Sequence, residues 1–255
     1  MRDAFWDQKK GYLGSKSYKV NGTSATPAQS GGLRLAAVYS TEFATGPGAR
    51  VFYHADDDTT APYVQELIWD QAKDEWTSGA KIADALSSSQ LAATVDSTAV
   101  RLFYATANGT LRESYQLLKP TRDDQRGVYF RGLDQPGVMA DRPGGPISAI
   151  TTPGNNILVY YTDADSAVHE LKINTTNGEK ASINPNIAAA PANQSLFGVG
   201  AVYTAADQEV RLLFTDVKTG DIGAVSEVKR PLADERWAAN QQQTYLALTS
   251  EGKDP

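Results

Sequence analysis

The chain has 255 residues, 41% of them hydrophobic, and 24 Lys and Arg against 30 Asp and Glu give a formal net charge of −6. The 12 Tyr, 7 Phe and 4 Trp supply ample apolar area for a folded core, which argues against a disordered chain. The absence of Cys and the presence of only two His exclude disulfides, thiolate nucleophiles and Cys/His zinc sites, and an acidic chain without a basic stripe argues against a nucleic-acid partner.

Short runs rich in β-branched and aromatic residues follow one another along the whole chain, and they predict strands. In chain order these predicted strands are Arg2–Trp6, Tyr12–Val20, Leu33–Tyr39, Arg50–Tyr53, Val64–Trp69, Leu91–Val95, Arg101–Tyr104, Thr110–Tyr115, Ile147–Thr151, Leu158–Tyr161, Ala167–Ile173, Leu196–Thr204, Arg211–Phe214, Asp221–Val228 and Tyr245–Leu248. Hairpin residues such as Asn108-Gly109 and Thr219-Gly220 separate some of them. A fourth, polar strand is predicted to end each group of three, and its clearest markers are Trp76 and Trp237.

The strand pattern repeats. The strands that begin at residues 2, 50, 101, 158 and 211 are separated by 48, 51, 57 and 53 residues. A period near 50 residues with several short strands in each unit is the pattern of a β-propeller. We therefore predict an all-β fold, a five-bladed β-propeller of four-stranded antiparallel sheets in a single domain covering residues 1–255.

The two ends of the chain are predicted to meet. Tyr245–Leu248 has no following strands, and the opening strand with Phe5 and Trp6 has no preceding strand. Pairing of the N- and C-terminal strands would complete the fifth blade and remove two free sheet edges. Two segments depart from the repeat, and the first, residues 56–62, lengthens a hairpin. Residues 116–146 form a long connection, which we expect to be either a solvated loop or a roof over a pocket.

Two polar positions recur on the otherwise apolar strands. An arginine begins the second strand of most units, and a glutamate lies early in the third strand. The arginines are Arg2, Arg50, Arg101 and Arg211, with Leu158 in the remaining unit. Alignment of the third strands gives Glu66, Glu113 and Glu170, with Ser15 and Ala224 in the other two units. Aromatic residues follow some of these glutamates, namely Trp76, Tyr129 or Phe130, and Trp237.

This residue set suits a neutral sugar. A guanidinium offers a planar fork of donors, a carboxylate offers acceptors, and an aromatic ring can cover the apolar face of a pyranose. The alternative is that each Arg and Glu pair across one sheet for structural reasons alone. We predict Arg50, Glu66 and Trp76 as the most complete ligand-binding set, and Arg101, Glu113 and Tyr129 as a second.

The sequence resembles the fungal fucose-specific lectins. The similar stretches are Ala49–Tyr53, Gln65–Asp70 with Trp76-Thr77-Ser78-Gly79, and Val100–Tyr104 with Leu111–Tyr115. The resemblance implies a β-propeller whose Arg and Glu side chains hold sugar hydroxyls between neighbouring blades while an aromatic ring packs on the sugar. Members of that family usually have six blades, and only two units of this chain keep both the Arg and the Glu.

Two functions follow as hypotheses. The first is a carbohydrate-binding β-propeller that takes fucose or a related glycan. The second is a cofactor-free enzyme on the same scaffold, which the resemblance connects with cycloadditions of the hetero-Diels–Alder type or cyclisations in fungal natural-product biosynthesis. We expect no metal, no cofactor, no membrane span and no catalytic Ser-His-Asp triad or Cys nucleophile. The sequence leaves open the oligomeric state, including a homo-oligomer, and whether the protein is secreted or cytoplasmic.

Overall fold

The computed structural model describes most of the repeating part of the chain. The described residues are 5–7, 11–13, 34–43, 46–55, 63–136, 139, 144–163, 167–176, 179–189, 195–217, 222–234, 237 and 243–248. Within these ranges the structure is built from strands, with one turn of 3₁₀ helix at Asp123–Gln125. In the same ranges, no helix combines the length and the apolar character that crossing a bilayer requires.

The strands form four four-stranded antiparallel sheets and one short hairpin. The hairpin consists of β1 (Phe5–Asp7) and β2 (Gly11–Leu13). Sheet A contains β3 (Leu35–Ser40), β4 (Gly48–Ala55), β5 (Tyr63–Asp70) and β6 (Glu75–Ile82). Sheet B contains β7 (Ala92–Val95), β8 (Ala99–Ala105), β9 (Leu111–Leu117) and β10 (Phe130–Gln135).

The second half of the chain repeats the pattern. Sheet C contains β11 (Ile147–Thr152), β12 (Asn156–Thr162), β13 (Ala167–Asn174) and β14 (Glu179–Ala189). Sheet D contains β15 (Ser195–Thr204), β16 (Glu209–Val217), β17 (Ile222–Pro231) and β18 (Gln243–Leu248). Each sheet is a meander in which consecutive strands pair, since short connections favour antiparallel neighbours. The predicted turn at Asn108-Gly109 is confirmed, because Gly109 adopts a positive φ of 71°. The predicted turn at Thr219-Gly220 lies outside the described residues.

The first strand of each sheet lies next to the first strand of the following sheet. Thus β3 contacts β7, β7 contacts β11, and β11 contacts β15. The apolar core is divided among the sheet interfaces, with one cluster around Phe52 and Tyr104 between sheets A and B, one around Phe103 and Tyr161 between B and C, and one around Tyr160 and Leu212 between C and D. Sheets that pack face to face, with their first strands next to one another, form the β-propeller architecture.

The C-terminal strand lies elsewhere than predicted. The sequence pattern suggested that Tyr245–Leu248 would stand beside Phe5–Trp6 as the first strand of a fifth sheet. In the structure β18 pairs with β17, so this segment is the outer strand of sheet D. The strand pairs of the described residues include β1 with β2, and none joins β1 to β18. An apolar strand fits either position, because its sequence does not say which sheet edge it will cover.

The long connection of residues 116–146 contains a strand. Its residues 130–135 form β10, the fourth strand of sheet B, and the loop that precedes β10 lies against sheet A. In sheet A the predicted fourth strand is confirmed as β6, which contains the predicted marker Trp76. Trp237, the other predicted marker, lies outside any strand.

Candidate functional site

A buried glutamate occupies the same register position in all four sheets. The glutamate on the third strand of each sheet pairs with a residue on the second strand. That partner lies two positions after the predicted arginine position. The four pairs are Phe52 with Glu66, Phe103 with Glu113, Tyr160 with Glu170, and Leu213 with Glu227. Their exposed fractions are 1%, 4%, 3% and 7%. Directly paired residues share a sheet face, so the glutamates of sheets A, B and C point toward the next sheet.

The sequence alignment was wrong in sheet D. It placed Ala224 where the structure places Glu227, because it matched Ile222 rather than Val225 to the apolar residue that precedes each glutamate by two. The hairpin decides the register, since Thr215 pairs with Val225 across it. The predicted position was therefore three residues out of register in sheet D.

At the interface of sheets A and B the glutamate joins a buried network. Arg50 Nη1 donates to Glu66 Oε1 at 2.5 Å, and the hydroxyl of Tyr129, which directly precedes β10, donates to the same oxygen at 2.9 Å. The Ala80 amide donates to Glu66 Oε2 at 3.0 Å. Burial and the adjacent Glu66 carboxylate raise the pKa of Tyr129 well above its usual value, so the phenol stays a donor.

Trp76 and Tyr129 do not lie beside the glutamates with which they were predicted to act. Trp76 pairs with Trp69, and it packs with Tyr53 and Leu67 on the face of sheet A opposite to Glu66. Tyr129 likewise points back from sheet B toward sheet A, so it accompanies Glu66 rather than Glu113. Strand alternation explains both positions. Trp76 pairs with Trp69, which lies three residues after Glu66 and therefore on the other face of β5. Tyr129 directly precedes Phe130, whose partner Tyr115 is on the Glu113 face.

Sheet B holds the second predicted pair. Arg101 Nη1 donates to Glu113 Oε1 at 2.5 Å, and Arg101 Nε donates to Asp96 Oδ2 at 2.7 Å. Glu113 Oε2 accepts from the Leu133 amide at 2.9 Å. Burial alone would lower the pKa of Arg101, but the charges of Glu113 and Asp96 outweigh it and raise the pKa. The guanidinium is thus held permanently charged and in a fixed orientation.

Two aromatic rings adjoin this pair on the same face of sheet B. The Arg101 guanidinium lies 5.4 Å from the centre of the Tyr115 ring, and the Tyr115 and Phe130 ring centres are 5.7 Å apart. Both rings are only half-buried. Tyr115 was missed as a site residue, and Phe130 was considered only as an alternative to Tyr129. The pairing of Phe130 with Tyr115 would have separated them, since it places Phe130 on the Glu113 face.

The interface of sheets C and D contains a set of which the sequence indicated only Glu170 and Trp237. Glu170 accepts from Arg230 Nη2 at 3.0 and 2.9 Å and from the Tyr160 hydroxyl at 2.8 Å. The Arg230 guanidinium lies 5.2 Å from the centre of the Trp237 ring. Arg230 comes from β17 of the next sheet. It takes the place of the recurring arginine, which is missing in sheet C because Leu158 occupies that position. No local sequence signal identifies it.

The remaining predicted positions contribute less. Arg211 is one-third exposed and lies 3.5 Å from Glu227. Arg2 and Ser15 lie outside the described residues. Within the described part of the chain, no group of three or more His, Cys, Asp or Glu side chains converges as metal ligands.

Comparison with known proteins identifies the fold. No protein-family model and no curated protein sequence matches the chain. Among solved structures, the lectin of Aleuria aurantia in complex with Fucα1-6GlcNAc matches with a TM-score of 0.63 at 18% identity, over 96% of this chain and 71% of the lectin chain. Another structure of that lectin is described as a fungal lectin with a six-bladed β-propeller and a novel mode of fucose recognition.

The chain has the β-propeller fold of these fungal lectins. The SapL1 lectin in complex with α-methyl fucoside matches with a TM-score of 0.62 at 18% identity, over 94% of this chain and 71% of that one. A mutant of AofleA from Arthrobotrys oligospora with three arginines changed to alanine matches with a TM-score of 0.66 at 17% identity, over 97% and 66% of the two chains. The lectin resemblance predicted from the strand motifs is therefore confirmed as a structural similarity.

Proposed function

We propose that the protein is a carbohydrate-binding β-propeller that binds fucose or a related neutral sugar between neighbouring sheets. The observation that carries this proposal is the Arg101–Glu113 pair with half-buried Tyr115 and Phe130 on one sheet face. The similar fungal lectins, two of them solved with fucosides, support the choice of sugar.

The chemistry of this set matches a pyranose with adjacent hydroxyls. Arg101 has donors beyond those that Asp96 and Glu113 engage, and Glu113 can accept from a hydroxyl beside its contact with the Leu133 amide. The faces of Tyr115 and Phe130 offer an apolar surface for the C–H side of the ring. A fixed, permanently charged guanidinium avoids the entropy loss of ordering a mobile side chain on binding.

We propose Arg50, Glu66 and Tyr129 as a second site of the same kind. Here the Tyr129 hydroxyl already occupies Glu66 Oε1, so a sugar hydroxyl must replace it or bind beside it. Trp76 is assigned to the site that sheet A would form with a preceding sheet. Weak single sites gain strength when several are repeated on one molecule.

The five-bladed ring is also a proposal. The period of about 51 residues and the β1–β2 hairpin support a fifth blade beside the four complete sheets. The cofactor-free cyclase stays a prediction from the sequence, as do a homo-oligomer and the cellular location.

The sugar proposal is tested by titrating the protein with methyl α-L-fucoside and following binding by calorimetry. We expect saturable binding in the micromolar-to-millimolar range. Phe130→Ala should weaken it about tenfold or more, because the sugar loses its apolar contact. Arg101→Lys should weaken it similarly, because an ammonium lacks the planar fork.

The matched control is Tyr39→Ala, which removes an exposed aromatic ring of β3 in sheet A, outside the proposed set. It should bind like the wild type. Circular dichroism of every variant establishes that the fold is retained. The proposal is overturned if the wild type binds neither the fucoside nor any member of a neutral glycan array, or if Phe130→Ala and Arg101→Lys bind as tightly as Tyr39→Ala.

A further inference from the structure

A cleft of about 350 Å³ opens between sheets A and B, separate from the Arg101–Glu113 pair. Its walls come from the end of β6, from β8 and β9, and from the loop before β10. The polar residues that line it are Lys81, Asp84, Tyr104, Arg112, Ser114, Tyr129 and Arg131. The Lys81 ammonium lies 4.5 Å from the centre of the Tyr63 ring, which belongs to the Trp76 cluster on the other face of sheet A. A cavity of this volume is large enough for a small ligand of monosaccharide size.

Two guanidiniums in this cleft share one carboxylate. Arg112 Nε donates to Asp134 Oδ1 at 2.8 Å, and Arg131 Nη2 donates to Asp134 Oδ2. Arg112 is fixed, with a side chain only 11% exposed, whereas the Arg131 side chain is 63% exposed. Asp134 neutralises one of the two positive charges, and the exposed side chain of Asp84 is the counter-charge to the other.

The exposed ion pair between Asp84 and Arg112 is a contact that a ligand carboxylate can replace. Arg112 Nη1 donates to Asp84 Oδ2 at 3.0 Å, but the Asp84 side chain is 72% exposed. Asp84 also has a positive φ of 66°, a backbone region that aspartate tolerates at some cost. An ion pair this exposed contributes little to stability. The Asp84 carboxylate therefore marks a position where Arg112 accepts an exchangeable anion.

The inner end of the cleft carries hydroxyl groups. Tyr104 and Ser114 share a hydrogen bond of 2.9 Å between their hydroxyls. The Tyr129 hydroxyl is engaged by Glu66, so Tyr129 offers the cleft its ring rather than its donor. A ligand with a carboxylate at one end and hydroxyls at the other matches this distribution of groups.

We propose that the cleft binds a small hydroxylated carboxylate of the uronic acid class, with the ligand carboxylate taking the place of Asp84 at Arg112 and reaching Arg131. This site uses none of the residues of the Arg101–Glu113 set and shares only the Tyr129 ring with the second proposed sugar site. It also recognises a charge that fucose lacks. The same carboxylate could belong to a free acid or to the terminal residue of a glycan.

The test is titration of the whole protein with D-glucuronate, with D-glucose as the uncharged match. We expect glucuronate to bind at least about tenfold more tightly than glucose and to weaken as salt is added. Arg131→Gln should lower the glucuronate affinity about tenfold. Asp84→Asn should raise it about threefold, because it removes the competing carboxylate while Asn also tolerates a positive φ.

The control is Arg122→Gln, an exposed arginine on the same connection that pairs with Asp124 outside the cleft lining. It should bind glucuronate like the wild type. Methyl β-D-glucuronide separates the two sources of the ligand: equal binding supports a glycan terminus, and binding of the free acid alone supports a small metabolite. The proposal is overturned if neither compound binds, if Arg131→Gln binds like Arg122→Gln, or if Asp84→Asn lowers the affinity. The fucoside and glucuronate titrations use different ligands and variants, so either proposal can fail alone.

Discussion

Gly79 and Gly132 each lie against the carboxylate of a buried glutamate. A Cβ added to Gly79 would stand 2.3 Å from Glu66 Oε2, and one added to Gly132 would stand 2.3 Å from Glu113 Oε2. Each carboxylate is held in place by an arginine and a backbone amide, so it cannot move aside easily. These glycines are therefore required for the close approach of the outer strand, and the Trp76-Thr77-Ser78-Gly79 motif gains a physical explanation.

Gly79→Ala and Gly132→Ala are expected to lower the free energy of unfolding by about 1–3 kcal/mol each, because the methyl group overpacks the carboxylate. Urea denaturation monitored by tryptophan fluorescence measures the change. Gly200→Ala on β15 is the matched control, since no heavy atom lies within 4 Å of its added Cβ. Equal stabilities of Gly79→Ala and Gly200→Ala would contradict the packing argument.

At the scale of the element, Asp96 organises the turn from β7 to β8. Its Oδ1 accepts from the Thr98 amide at 2.6 Å and from the Ala99 amide at 2.8 Å, while its Oδ2 accepts from Arg101 Nε. Burial alone would raise the pKa of Asp96, but the hydrogen bonds from Thr98 and the charge of Arg101 lower it. The turn thus positions the arginine of the proposed sugar site.

Asp96→Asn is expected to lower the free energy of unfolding at pH 7 by about 1–3 kcal/mol, since it removes a charged acceptor from buried donors. Because the folded pKa of Asp96 lies below its unfolded value, the carboxylate stabilises the fold above about pH 4, and this contribution is lost as pH falls through the folded pKa. The difference between wild type and Asp96→Asn should therefore shrink between pH 5 and pH 2 in urea denaturation.

The control for this pH dependence is Asp123→Asn, whose side chain is 92% exposed in an isolated 3₁₀ turn. It should follow the wild type at every pH. A difference between wild type and Asp96→Asn that stays constant down to pH 2 would mean that the lowered pKa of Asp96 makes no contribution to stability.

At the scale of the whole molecule, buried polar contacts connect neighbouring sheets. Glu170 of sheet C binds Arg230 of sheet D, and both side chains are less than 5% exposed. Glu66 of sheet A accepts a hydrogen bond from the hydroxyl of Tyr129, which directly precedes β10 of sheet B. Removing one partner of a buried pair leaves an uncompensated charge in an apolar interface. These contacts therefore fix how the sheets pack, in addition to the apolar clusters.

Arg230→Met is expected to lower the free energy of unfolding by about 3–5 kcal/mol, because Glu170 is left unpaired. The double variant Glu170→Gln with Arg230→Met should recover part of that loss, which a double-mutant cycle in urea measures. Lys119→Met is the matched control. It breaks an exposed pair with Glu42 whose side chains are 76% and 59% exposed, and it should cost about 0–1 kcal/mol. Equal effects of Arg230→Met and Lys119→Met would contradict a stabilising role of the buried pair.

The sequence predicted most of the strands because each strand carries its own pattern. Arg50–Tyr53 and Arg101–Tyr104 are short runs rich in β-branched, aliphatic and aromatic residues, which predict strands, and the 51-residue period gave their grouping. It also paired Arg50 with Glu66 and Arg101 with Glu113, since neighbouring strands of one hairpin place them on one face. The sequence did not show which strand Tyr245–Leu248 pairs with, because an apolar strand is equally suited to either sheet edge.

The sequence by itself determined an all-β repeat with arginine–glutamate pairs inside single sheets, because strand alternation and hairpin register are local properties. Only the tertiary structure decided that Tyr129 completes the Glu66 network and that Arg230 takes the place of the missing arginine beside Glu170. Those contacts form between sheets, between residues some 60 positions apart in the chain. Which side chains meet there depends on how two twisted sheets pack face to face, and no spacing within one strand records that.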